Sequence, residues 1–307
     1  MCARRGEQVI RISGLVFLVS LITGVLHAAE TKPAEPTEAQ QLDAIIAFDE
    51  LQRGLIEWDL HLVRDYGSRG ETELAQEKAE SAGKRVDEVL SRYTAFLSRF
   101  PKSAAGHNYY GEALADLKRD DPKAVEEWLK AIQLDPKLAD PHNNLGIYYG
   151  HVGQPEKAID EFRKAIELNA TVAEFHFDLA LAYHNFRYVA MNKYKWTLQQ
   201  VFSEALKESK TARSLKPNDL EIAMDYARTF FAAEDFKVTA DWNEALAAWQ
   251  HCLPLAKDST EKFHVLVNLG RVALKMNKKE EARKYLNEAL PFQPDSRTVK
   301  RLLELAQ

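Results

Sequence analysis

From Gln41 onward, apolar residues return every third or fourth position, the period of a helix with one buried face. Strict alternation of the kind a half-buried strand needs is missing. Thirteen Gly and eleven Pro in 307 residues leave few tight turns for a sheet-rich fold. The pattern therefore predicts an all-α chain of helices joined by short loops. It also repeats. A shift of 34 residues lays Leu145 on Leu179, Gly146 on Ala180, Tyr149 on Tyr183, Ala124 on Ala158 and Ala131 on Ala165. Self-similarity at a fixed period of this size marks stacked supersecondary units.

Each recurring slot has a packing logic. Gly111, Gly146, Ala180, Ala227 and Gly270 are small, so the first helix of a pair can approach its partner closely. Ala124, Ala158, Ala205, Ala245 and Ala282 do the same on the second helix. Two turns further along that face come Ala131, Ala165, Ala212, Cys252 and Ala289. Trp128, Phe162, Trp249 and Leu286 lie between the small positions and fill the space they leave. Pro136, Pro217 and Pro294 follow the second helices and set the turns.

These residues resemble the tetratricopeptide repeat, a helix–turn–helix unit whose pattern runs Leu-Gly, Tyr, Ala, Phe, Ala, Pro at fixed spacing. The match is closest over Ala139–Ala170 and nearly as good over Phe263–Pro294. The resemblance implies a right-handed α-solenoid in which each helix pair buries its apolar face on its neighbours. Five repeats are expected over residues 104–294. The first has one extra residue before Ala124, the third has 13 between Tyr183 and Ala205, and the fourth has six between Phe230 and Ala245. A degenerate helical hairpin is expected over 41–103. A C-terminal capping helix over 295–307 is expected to cover the last repeat with Val299, Leu302, Leu303 and Leu305.

The first 28 residues depart from this pattern. Arg4, Arg5 and Arg11 precede an uncharged apolar run, Ile12 to Leu26, which ends at His27-Ala28-Ala29. Fifteen residues is short for a bilayer core that needs about 20. The expectation is a cleaved signal peptide over 1–28, hence a periplasmic or secreted protein; an uncleaved membrane anchor is the alternative. Residues 29–40, rich in Pro, Glu and Ala, read as a flexible linker. Removing three basic residues and one acidic residue from a chain of net charge −5 leaves −7. Nucleic acid is a poor partner for that surface, because binding needs clustered Lys and Arg.

No phosphate-cradling Gly loop, nucleophile elbow or paired Cys-x-x-Cys follows the signal segment, so no enzymatic activity, metal or cofactor is expected. His107, His142 and His176 fall in the same slot of three successive repeats. Metal binding would need them to converge on one ion, whereas stacked repeats lie about 8–10 Å apart. They read instead as flat packing rings where the family has an aromatic. Cys252 reads as a packed thiol.

The resemblance implies that the first helices line a concave groove that binds protein or peptide segments. Carried over by register, its lining is Asn108, Glu112, Asn143, Ile147, Phe177, Leu181, His184, Met224, Arg228, Phe231, Val267, Arg271 and Lys275. The insertion in the third repeat offers Tyr188, Tyr194 and Trp196 among basic residues. These are either contact residues of the kind binding hot spots favour or aromatics packed within two simply longer helices. A non-catalytic scaffold is the leading functional expectation. A small-molecule or glycan binder using the aromatic middle of the groove is the alternative.

Overall fold

The computed structural model describes residues 35–307, so the signal segment and most of the linker lie outside the described residues. The linker reading over 29–40 is corrected at its end. Thr37 accepts from the Gln40 backbone while the Gln40 side chain accepts from the Thr37 backbone. This capping box satisfies two orphan donors at once, so helix α1 (Glu38–Ser68) starts three residues inside the expected linker. It turns at Gly70, whose φ of 76° suits a residue without Cβ, and runs back as α2 (Thr72–Arg99).

The remaining chain is a succession of helix pairs. The first repeat pairs α3 (Ala104–Ala113) with α4 (Asp121–Leu134), and the second pairs α5 (Asp140–His151) with α6 (Pro155–Leu168). The third pairs α7 (Ala173–Asn185) with α9 (Leu198–Leu215), with a short α8 (Arg187–Tyr194) between them. The fourth has a broken first helix, α10 (Leu220–Thr229) and α11 (Ala232–Phe236), and then α12 (Trp242–Cys252). The fifth pairs α13 (Ser259–Lys275) with α14 (Lys279–Ala289), and α15 (Arg297–Leu305) closes the array. Partners within a pair pack on each other, and each second helix also packs on the next first helix. This is the expected all-α solenoid. Among the described residues, no helix is long and apolar enough to cross a membrane.

The small and large slots meet as their sizes require. A Cβ added at Gly111 would lie 2.6 Å from the Trp128 ring, one at Gly146 2.6 Å from Phe162, and one at Gly270 2.7 Å from Leu286. Real side chains never approach that closely, so these glycines set how near the paired helices come. The third repeat differs: Ser209 occupies the large slot, is buried, and bonds to Thr229 and Asp225 on α10.

The irregular lengths have local explanations. The extra residue of the first repeat is taken up by a π-helical turn, Leu114–Lys118, the usual way a helix absorbs one added residue. Each repeat then turns through one residue with positive φ: Arg119, Gly153, Lys195, Lys237 and Asn277. In the third repeat Lys195 falls after α8. The insertion is therefore a separate eight-residue helix plus a longer second helix; α9 has 18 residues where α6 has 14. The expectation of two simply longer helices is corrected on the first-helix side. At the C-terminus, Val299 and Ala306 are fully buried while Leu305 is exposed, so Ala306 takes the covering place expected of Leu305.

Candidate partner-binding face

Successive first helices α3, α5 and α7 touch one another directly, while their second helices meet mainly through the next first helix. The face carrying the expected groove residues is thus the one where the first helices crowd together. Its polar residues are already engaged. Buried Asn108 donates to Glu112 at 2.9 Å, and Asn144 donates to both Asn108 and Glu112 at 3.1 Å across the repeat boundary. Buried Asn143 donates to Asp178 at 2.8 Å across the next boundary. Its Oδ1 is buried without a hydrogen-bond donor. Asn108 and Asn143 therefore act first as rungs between repeats, a role their register alone does not show.

In the middle of this face, Asp178 and Asp225 stand in the same slot of the third and fourth first helices. Burial pushes both carboxyls up to about 6, and the neighbouring charge of Asp225 adds to the effect on Asp178. Asp225 accepts a hydrogen bond from Ser209 at 3.4 Å. Neither aspartate has a Lys or Arg nitrogen within ion-pair distance among the described residues. Leu181 is 42% exposed beside this acidic patch, and Arg228 is exposed and outside ion-pair distance of any described carboxylate.

The other expected residues divide between packing and surface. Ile147 is half-buried against the second and third repeats, and Phe177 against Ala173, Ala212 and Ile222 of the third and fourth. Met224 and Val267 are buried. His184 stacks on Phe236 with centroids 5.5 Å apart; burial and Arg187 push its pKa down. Phe231 lies near Trp242 and Trp249 and is covered by the Arg271 guanidinium, 4.1 Å from its centroid. Arg271 also donates to Asn268, and Lys275 pairs with Glu234 at 2.9 Å. In the insertion, Tyr194 and Trp196 stack at 4.5 Å, and Trp196 meets Tyr183 edge-on at 5.8 Å. Tyr188 is the exposed member, 55% accessible, with Arg187 over its ring.

The three histidines differ from the packing rings expected of them. Each Nδ1 bonds a glutamate on the second helix of its own repeat: His107 to Glu127 at 2.5 Å, His142 to Glu161 at 2.6 Å, His176 to Glu208 at 2.5 Å. His107 and His176 also bond through Nε2 to the carbonyls of Pro101 and Ala170, each at 3.1 Å. The Glu208 bond raises the pKa of His176. The signal was present in the sequence, since a glutamate stands three residues after the small alanine only in the repeats that carry the histidine. Cys252 is fully buried, and burial pushes its thiol up to about 12, far from a reactive thiolate.

A stack of helix pairs with small residues at every close approach and a face built from first helices defines a helical-repeat solenoid. Models of the TPR repeat match residues 120–153, and of the tetratricopeptide repeat residues 139–171 and 263–296. The chain is a tetratricopeptide-repeat protein. Among solved structures it is similar to YrrB, described as a TPR protein with an unusual peptide-binding site. That match has 18% identity and a TM-score of 0.53, covering 69% of this chain and 97% of that one. It is also similar to the C-terminal part of a TPR repeat-containing protein from Cytophaga hutchinsonii, at 18% identity and a TM-score of 0.52, covering 86% and 94%. PilW, described as a widely conserved type IV pilus biogenesis factor, matches at 17% identity and a TM-score of 0.51, covering 81% and 98%. At these identities the likeness is one of fold. No curated protein matches the chain by sequence.

Proposed function

We propose that this chain is an exported, non-catalytic scaffold that holds an extended protein segment against the face formed by its first helices. The tetratricopeptide fold itself indicates a protein–protein interaction scaffold. One observation supports the finer reading: the middle of this face sets exposed Leu181 and unpaired Arg228 beside the acceptors Asp178 and Asp225. An extended segment offers backbone N–H donors and apolar side chains at short intervals, which suits that mixture. YrrB is described as having a peptide-binding site on a fold of this kind. Export rests on the apolar segment Ile12 to Leu26 and its basic start.

The small-molecule or glycan reading has less support. The aromatic rings Tyr183, Tyr194 and Trp196 are spent on one another. The cavity at Asn277–Glu281 is shallow and open, lies in a turn, and includes none of the expected groove residues.

Peptides selected from a random extended library for binding to this chain test the proposal. Leu181→Glu and Arg228→Glu should each weaken the selected peptides at least tenfold while leaving the melting temperature unchanged. Binding that survives both substitutions places the site elsewhere. Recovery of the chain in the cytosolic fraction with residues 1–28 intact would refute the export part.

A further inference from the structure

Two acidic pairs recur in register on neighbouring repeats. Glu174 and Asp178 stand six and two residues before the small Ala180 of α7, and Glu221 and Asp225 stand six and two before Ala227 of α10. A spacing of four puts each pair on one side of its helix, where like charges repel. Glu174 and Glu221 lie in first turns, where the helix dipole favours acid, so neither needs a partner to account for it. Asp178 and Asp225 lie one turn deeper and lack that support. Both are half-buried, and acidic neighbours act on each: Glu174 and Asp225 on Asp178, Glu221 on Asp225.

The chain's own bases do not neutralise this patch. Lys216 is taken by Glu174. Arg228, three residues after Asp225 on α10, acts on it through space from outside ion-pair distance. Among the described residues, no Lys or Arg nitrogen lies within ion-pair distance of Asp178, Asp225 or Glu221. A further group shows what is missing. Asn143 on α5 is only 7% exposed, and its amide end lies against Asp178, with Nδ2 donating to that carboxylate at 2.8 Å. The Oδ1 of the same amide is buried without a donor. A buried acceptor left in that state costs about 1–3 kcal/mol. The middle of the face thus gathers acceptors that want N–H donors and positive charge, beside the exposed Leu181.

Resting on the reading above that this face holds an extended segment, we propose that the segment presents a lysine or arginine side chain to Asp178, with Asp225 as its second carboxylate and the edge of the Asn143 amide as a further acceptor. Ammonium and guanidinium groups carry several donors and no acceptor, which matches a site made only of acceptors. Charge-assisted bonds of this kind are about twice as strong as neutral ones. Arg228 repels a cation most at Asp225, which sets the cation towards Asp178. The apolar stem of the basic residue then lies along Leu181. An acidic segment would meet four carboxylates here and is rejected, so the patch selects partners as well as holding them.

Peptides selected on the full chain from an N-acetylated library of random extended sequences test this, because acetylation leaves side chains as their only cations. The selected peptides should share a lysine or arginine at one recurring position. Replacing it with norleucine should weaken binding about 20-fold. In the Asp178→Asn, Asp225→Asn chain the basic and norleucine peptides should bind alike. Peptides that Leu181→Glu weakens but that share no basic residue, or a preference for the basic peptide that survives in the double variant, would overturn the cation site and leave the scaffold face standing. Failure to select any peptide, or binding indifferent to Leu181→Glu, would remove both readings. Should the double variant fail to fold, pH gives the answer in the natural chain. Burial holds both aspartates up to about 6, so they are ionised at neutral pH and protonated in mild acid. Affinity for the basic peptide should fall about tenfold between about pH 7.5 and about pH 5. The norleucine peptide, which cancels titrations elsewhere such as that of His184, should show no such fall. Equal pH profiles for the two peptides would overturn the proposal.

Discussion

In the first three repeats the two helices of a pair are joined by an imidazole–carboxylate bond: His107–Glu127, His142–Glu161 and His176–Glu208. In the fourth and fifth, the same two slots hold Ala223 with Ala248 and Leu266 with Tyr285. The N-terminal repeats thus combine ordinary packing with a directional bond that fixes helix register. The fourth repeat joins its helices by a different bond, Tyr226 donating to Glu244 at 2.6 Å, and the most continuous apolar cluster, which includes Trp249, Tyr226 and Phe230, runs through the fourth and fifth repeats and into α15. Buried polar bonds add little net stability when complete but cost much when broken. Apolar packing fails in proportion to the volume removed. The two halves should therefore respond to different insults.

The largest expected effect lies in the apolar half. Trp249 is fully buried between repeats four and five. Trp249→Ala should cost about 3–5 kcal/mol through lost burial and the cavity left behind. Urea unfolding followed by circular dichroism measures the loss. The buried thiol of Cys252, on the same helix, locates it: thiol labelling should quicken there in a chain whose Cys2 is replaced by Ser. In such a chain a cysteine at Ala165, the equivalent slot of the second repeat, should label at an unchanged rate. Equal acceleration at both sites would mean that the array unfolds as one unit and that the two halves are not separable.

A middle-sized effect is expected in the third repeat. Glu208→Ala strands the buried imidazole of His176 and should cost about 1–3 kcal/mol. Adding His176→Ala reproduces the Ala–Ala pairing of the fourth repeat. The double variant should lose less than the sum of the two single losses, because the second change removes the group the first left unpaired. Strict additivity in a double-mutant cycle would show that His176 and Glu208 only happen to be near each other.

How much of this was legible in the sequence follows from where each feature is encoded. The solenoid was, because Gly146, Ala158, Phe162 and Ala165 recur in register and each answers a packing demand inside its own unit. The histidine–glutamate bonds were legible in principle. Reading the histidine column alone suggested packing rings, and only comparison with the column three residues after Ala124, Ala158 and Ala205 exposes the partner. The division of the third-repeat insertion was not legible. It depends on Lys195 adopting a left-handed backbone, a conformation that lysine does not announce. Nor was the engagement of Asn108 and Asn143, since their partners Asn144 and Asp178 lie about one repeat away. Sequence register places side chains on a face without saying which are already bonded across it.

The smallest expected effect is the response to pH, and its sign separates the halves most finely. His176 has a folded pKa raised above its ordinary value of about 6.5, through its bond to Glu208. Its contribution to stability is therefore fully present below about pH 6.5 and is lost as the pH rises through the folded value. Asp178 and Asp225, raised from 3.8 to about 6, contribute stability that is present below 3.8 and lost as the pH climbs to about 6. Above that they are ionised in both states and add no further slope. His184 acts with the opposite sign, since burial lowers its pKa and its stabilising neutral form is lost as the pH falls. Comparing the natural chain with the His176→Gln variant at each pH cancels the aspartates and His184 and leaves the bond to Glu208. The stability advantage of the natural chain over that variant should be greatest at pH 6 and should shrink steadily towards pH 9. An advantage that stays constant across that range would mean that the imidazole is held neutral and acts only as a hydrogen-bonded spacer. The first three repeats would then differ from the last two in shape and not in charge.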